Sequence, residues 1–81
     1  MGVGAIRKIN HAEVVEIAKS SPGKWQLAGI YRSRHTAQSV GVQIRRNKYS
    51  PAYKTGNWDT TYLPLEDGDW ELWVQFLGES E

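Results

Sequence analysis

The chain predicts a small α+β domain in the order α-β-α-β-β: a three-stranded, mainly antiparallel sheet with two helices packed on one face. Three observations carry this. Two segments place apolar residues at helical spacing behind a capping residue, Asn10 in one and Ser33 in the other. Three further segments, rich in Trp, Tyr and Val, alternate with the two-residue period of a strand. The last two of these are joined by an Asp-Gly turn, the sign of a hairpin. Eighty-one residues suit one domain spanning 1–81, with no linker or internal repeat.

Residues 1–8 read as a flexible arm or a short edge segment. Asn10 caps the first helix, with Glu13 three residues on, and Ile9 and Val14 are spaced for a hydrophobic staple. Val14, Ile17 and Ala18 form the apolar stripe, with Val15 beside it. Ser20-Ser21-Pro22-Gly23 ends the helix, because Pro cannot continue it and Gly favours the turn.

Lys24 to Arg32 reads as a strand. Trp25, Leu27 and Tyr31 alternate onto one face, and Ala28 and Ile30 make the other face partly apolar. A strand apolar on both sides is expected at the centre of the sheet. After Ser33, the stripe Ala37, Val40, Gly41 and Ile44 defines the second helix, and Gly41 on that stripe implies close approach to the sheet. Asn47 is placed to terminate it. Residues 49–56 read as a loop anchored by Tyr49 and Tyr53. Asn57 to Leu63 is the second strand, with Trp58, Thr60 and Tyr62 on one face. Trp70 to Leu77 is the third, with Trp70, Leu72, Val74 and Phe76 on one face and Trp73 and Leu77 on the other. A winged-helix arrangement would need a third helix, for which residues 48–56 are poor material.

The charges are segregated along the chain. Eight cations (Lys19, Lys24, Arg32, Arg34, Arg45, Arg46, Lys48 and Lys54) have no carboxylate between them, whereas seven acids and no base lie from Asp59 to Glu81. The formal net charge of +1 conceals this dipole, which bears on partners and not on fold. Arg and Lys neutralise phosphates, and aromatic rings stack on unpaired bases. The sequence therefore points to nucleic-acid binding through Arg32, Arg34, Arg45, Arg46, Lys48 and Lys54, with Tyr49 and Tyr53 interleaved to stack on bases or to position the loop. The competing reading is a protein-interaction module. It would use Trp73 and Leu77 on an open sheet face, with the acidic hairpin residues Glu66, Asp67 and Asp69, and would pair two copies through the aromatic face.

Other chemistry finds little support. Asp67, Asp69 and Glu71 alternate but lack the length and glycine position of a calcium loop. His11 and His35 have no second ligand at metal spacing. Ser33, His35 and Asp59 accompany no nucleophile elbow. The expectation is a non-catalytic protein without cofactor or metal. The absence of cysteine, of an apolar run near 20 residues and of a signal-peptide pattern points to the cytoplasm.

The run Trp25-x-Leu27-x-x-x-Tyr31-x-Ser33-x-x-x-Ala37, then Ile44-Arg45 and the closing Trp70-Glu71-Leu72-Trp73-Val74, resembles small uncharacterised proteins of actinobacteria and their phages over about residues 20–77. The resemblance implies a phage accessory protein that acts in the bacterial cytoplasm by binding a host or viral macromolecule. It carries over no functional residue.

Overall fold

The structure is a computed structural model that describes residues 9–79; the expected N-terminal arm lies outside them. Its elements are α1 (His11–Ser20), β1 (Gln26–Tyr31), α2 (Arg34–Arg45), a 3-10 turn (Pro51–Tyr53), β2 (Asn57–Pro64) and β3 (Trp70–Gly78). The α+β class and the α-β-α-β-β order are as the sequence predicts. No third α-helix lies among the described residues, which removes the winged-helix alternative.

Local chemistry sets the element ends. Asn10 Oδ1 accepts the Glu13 amide at 3.3 Å, and Ser33 Oγ accepts the Thr36 amide at 3.1 Å, so both helices begin on side-chain caps. Gly23, at φ +84, turns the chain after α1. The Asp-Gly turn closes β2 onto β3 with Leu65 N donating to Asp69 O at 2.7 Å.

The sheet order is β1-β3-β2, with both pairings antiparallel. Hence β3 is central, and β1, expected there, is an edge strand. The apolar second face of β1 was the misleading signal. That face carries Leu27 and Ile30 as part of an outer apolar cluster with Leu63, Trp73 and Leu77, set among Asp59, Thr61, Glu71 and Gln75, and not because β1 has two neighbours. β1 and β2 run parallel to each other on either side of β3, and α2 crosses over β3 to join them.

A bulge at Ala28 gives β1 a second departure from simple alternation. Leu27 pairs with Trp73, but Gly29 pairs with Leu72 and Tyr31 with Trp70. One extra residue reverses the facing of everything after it. Leu27 therefore lies on the outer face and Tyr31 on the helix-covered face, where the sequence put them together. The Tyr31 ring folds back over Gly29 so closely that a Cβ there would meet it at 2.8 Å.

Both helices cover the same face of the sheet. Val15, Ala18, Ala37 and Ile44 from the helices join Leu72, Val74, Phe76, Trp58, Tyr31 and Tyr53 in one core. In α2 the expected stripe holds: a Cβ on Gly41 would meet Thr60 Oγ1 at 3.1 Å and Leu72 Cδ1 at 3.4 Å, so the missing side chain lets the helix approach the sheet. In α1 the stripe is rotated. Val15 and Ala18 are buried, while Ile17 is 46% exposed. The inward row is His11, Val14, Val15 and Ala18, because His11 is drawn in by a partner that pattern reading cannot see.

Candidate nucleic-acid interface

Tyr53 organises the ground beneath the basic residues. Its side chain is fully buried, its hydroxyl lies 2.8 Å from His11 Nδ1, and its ring meets the Trp58 ring edge-on at 5.1 Å between centroids. Tyr49 lies beside it, with ring centroids 6.3 Å apart, and meets His11 at 5.2 Å. Trp58 in turn packs on Phe76 at 5.2 Å. Burial pushes the hydroxyl pKa values of Tyr31 and Tyr53 up, reinforced by their tyrosine neighbours, and desolvation pushes His11 down. A buried ring cannot stack on a base. The stacking role expected of Tyr53 is overturned, and what remains for Tyr53 is to seat and position the loop; Tyr49 beside it is half-buried.

Asn47 completes that seat. It holds φ +60, the left-handed conformation Asn tolerates, and stops α2. Its Nδ2 then donates to Tyr53 O at 2.7 Å and Gly56 O at 3.0 Å. One side chain thus clamps the loop's far side against the end of the helix. Arg45, Arg46, Lys48 and Lys54, all exposed, are carried on the two strands of chain that Asn47 joins.

The fold brings further cations to this end of the molecule. Lys19 Nζ donates to Thr55 Oγ1 at 3.3 Å, next to Lys54, and sits 5.4 Å above the Phe76 ring centroid. Gly23 N donates to Phe76 O at 3.0 Å, which places Lys24 beside the same residue. Lys19 and Lys24 were not singled out from the sequence as contacts. They lie 21 to 35 positions before Arg45 and Lys54, and contacts to Thr55 and Phe76 join them to the group.

Arg32 and Arg34 stand at the opposite end of α2. Arg34 lies 5.7 Å over the Tyr62 ring and 6.0 Å over the Trp70 ring, a cation–π contact at the hairpin end of the sheet. At about 1.5 Å per residue, α2 separates Arg34 from Arg45 by roughly 17 Å. The six expected phosphate ligands are therefore two groups, a pair at the start of the helix and four at its end.

The carboxylates turn elsewhere. Asp59 accepts Thr60 N at 2.9 Å and Gln75 Nε2 at 3.3 Å, Asp67 accepts Asp69 N at 3.1 Å, and Glu71 accepts Trp73 Nε1 at 3.2 Å. Among the described residues no side-chain hydrogen bond joins a Lys or Arg to an Asp or Glu. Arg45 also complements the carbonyl end of α2, but Arg46, Lys48, Lys54, Lys19 and Lys24 exceed what one helix terminus needs.

The residues of the competing reading do not meet at one place. Glu66, Asp67 and Asp69 are in the hairpin turn before Trp70, whereas Leu77 is at the far end of β3, roughly 23 Å away at about 3.3 Å per residue. Trp73 lies between them on the outer face. No three His, Asp or Glu residues among those described converge as metal ligands, and no helix among them is long and apolar enough to cross a membrane. Compared with protein-family models, curated proteins and solved structures, the chain matches none.

Proposed function

We propose that the protein is a non-catalytic, cytoplasmic nucleic-acid-binding module that grips the phosphate backbone with the cations at the C-terminal end of α2 and the loop behind it. Arg45, Arg46, Lys48 and Lys54 are the principal contacts, and Lys19 and Lys24 extend the surface. The observation that carries this reading is that these cations are gathered on a rigidly seated loop while the acids spend their hydrogen bonds within β2, β3 and their turn. Fixed cations lose less freedom on binding than mobile ones, and their bound phosphates release counterions. With Tyr53 buried and Tyr49 half-buried, the surface offers mainly charge and shape, so affinity depends little on sequence.

The test is retention on mixed-sequence DNA and RNA across salt. About four phosphate contacts correspond to a slope near −3.5 in log affinity against log salt on duplex DNA. The double substitution Arg45→Glu with Arg46→Glu should lower that slope by roughly 2 and release the protein at moderate salt, with the circular-dichroism spectrum unchanged. Retention by the double variant equal to that of the original would remove α2 as the contact.

A further inference from the structure

The phosphate grip at the C-terminal end of α2 leaves two features of that helix without a use. Arg32 and Arg34 stand at its other end, and Arg34 is roughly 17 Å from Arg45 at about 1.5 Å per residue. Between the two groups, α2 turns His35, Ser39, Val42 and Gln43 away from the buried stripe of Ala37, Gly41 and Ile44, with Gln38 on one flank. All of these but the half-buried Val42 are exposed. The helix contains no Asp or Glu at any position. Protein surfaces ordinarily intersperse both signs of charge. This face is uncharged from Gln38 to Gln43 and cationic at both ends.

We propose that α2 lies in the major groove of duplex DNA with this face toward the base pairs; the inference rests on the nucleic-acid reading above and names the form of nucleic acid it takes. A helix about 10–12 Å across fits a groove about 12 Å wide. Arg34 and Arg45, about three turns apart, share one flank of α2. That flank is on the β2 side, since Arg34 reaches the Tyr62 ring and Gly41 faces Thr60. One strand of phosphates running along it meets a cation at each end of the helix. The exposed acids Glu13 and Glu16 are on α1, which packs on β1 and β3, so they lie across the sheet from that flank. Gln38, Ser39 and Gln43 each donate and accept hydrogen bonds, and Val42 offers methyl groups. They can meet the edges of any base pair without setting a bare carboxylate against the groove. Selection is then by groove shape, with base sequence a minor influence. The major groove of A-form RNA is too deep and narrow to be read from a helix, and a single strand has no groove at all.

Anisotropy titrations of the full chain at about 50 mM salt test this with three probes: a mixed-sequence DNA duplex of about 20 base pairs, the RNA duplex of the same sequence, and the single DNA strand. The DNA duplex should be held about tenfold or more tighter than either of the others. Methyl green, which occupies the major groove, should compete with the protein; netropsin, which occupies the minor groove, should not. Ser39→Tyr adds bulk and no charge at the middle of the face. Ser39 is exposed, so the variant should keep its circular-dichroism spectrum and its affinity for the RNA duplex, yet lose about tenfold on the DNA duplex. Equal affinity for the two duplexes, competition by netropsin in place of methyl green, or full DNA affinity in Ser39→Tyr would each overturn the groove assignment and leave the phosphate grip standing. Binding to none of the three probes would overturn both.

Discussion

His11 Nδ1 and the Tyr53 hydroxyl meet at 2.8 Å across 42 positions of chain, and this single hydrogen bond ties the first turn of α1 to the loop that follows α2. Neither residue belongs to an apolar pattern. Together they bury a ring that the sequence alone would leave on the surface, and they fix the rotation of α1 about its own axis.

Removing either partner should loosen the loop before it loosens the sheet. Tyr53→Phe keeps the ring and loses the bond, for an expected cost of about 1 kcal/mol. His11→Ala also loses edge contacts to Tyr49 and Tyr53, so it should cost more, about 2 kcal/mol. Urea unfolding of both single variants and the double variant measures the pair. A coupling energy near zero would mean the bond is not made in solution.

The same histidine sets a pH dependence. Desolvation lowers its pKa from the ordinary 6.5 in the folded protein, so the unfolded chain binds the proton more tightly. Stability is then full above about pH 6.5 and is lost progressively as pH falls below that value. Thermal melts from pH 8 to pH 5 should show the decline. It should shrink in His11→Gln and persist in His35→Gln, since His35 is exposed. An equal decline in His11→Gln would assign the effect to other groups.

Asn47 does two separable things, which its substitutions distinguish. Asn47→Gly keeps access to φ +60 but gives up both bonds to Tyr53 O and Gly56 O; Asn47→Ala gives up the bonds and strains the backbone as well. Expected losses are about 1–2 kcal/mol for Gly and about 1 kcal/mol more for Ala. Amide hydrogen exchange should rise first at residues 48–56 in both. Equal stability of the two variants would show that the conformation at Asn47 costs nothing.

Much of this protein was legible in its sequence because the signals are local. Asn10 and Ser33 cap the helices through amides three residues away, Gly41 sits on a 3.6-residue stripe, and Asp67-Gly68 closes a hairpin between adjacent strands. Each needs only neighbours in the chain, so propensity and period sufficed for the class, the element order and the hairpin. What went astray depended on distant partners. β1 looked central because its outer residues are apolar, and only the pairing of β3 with both neighbours shows it to be an edge. The bulge at Ala28 is invisible to alternation, yet it sends Leu27 and Tyr31 to opposite faces.

The candidate site divides along the same line. The segregation of charge from Lys19 to Lys54 is written in the chain and needs no fold. That Tyr53 is buried, that Arg34 stands apart from Arg45, and that Lys19 and Lys24 arrive beside Phe76 were decided only when the loop closed over the core. Sequence determines which charges and caps the chain possesses, because these are properties of residues and near neighbours. Tertiary structure decides which of them share a surface, because burial and long-range hydrogen bonds are settled by packing between elements far apart in the chain.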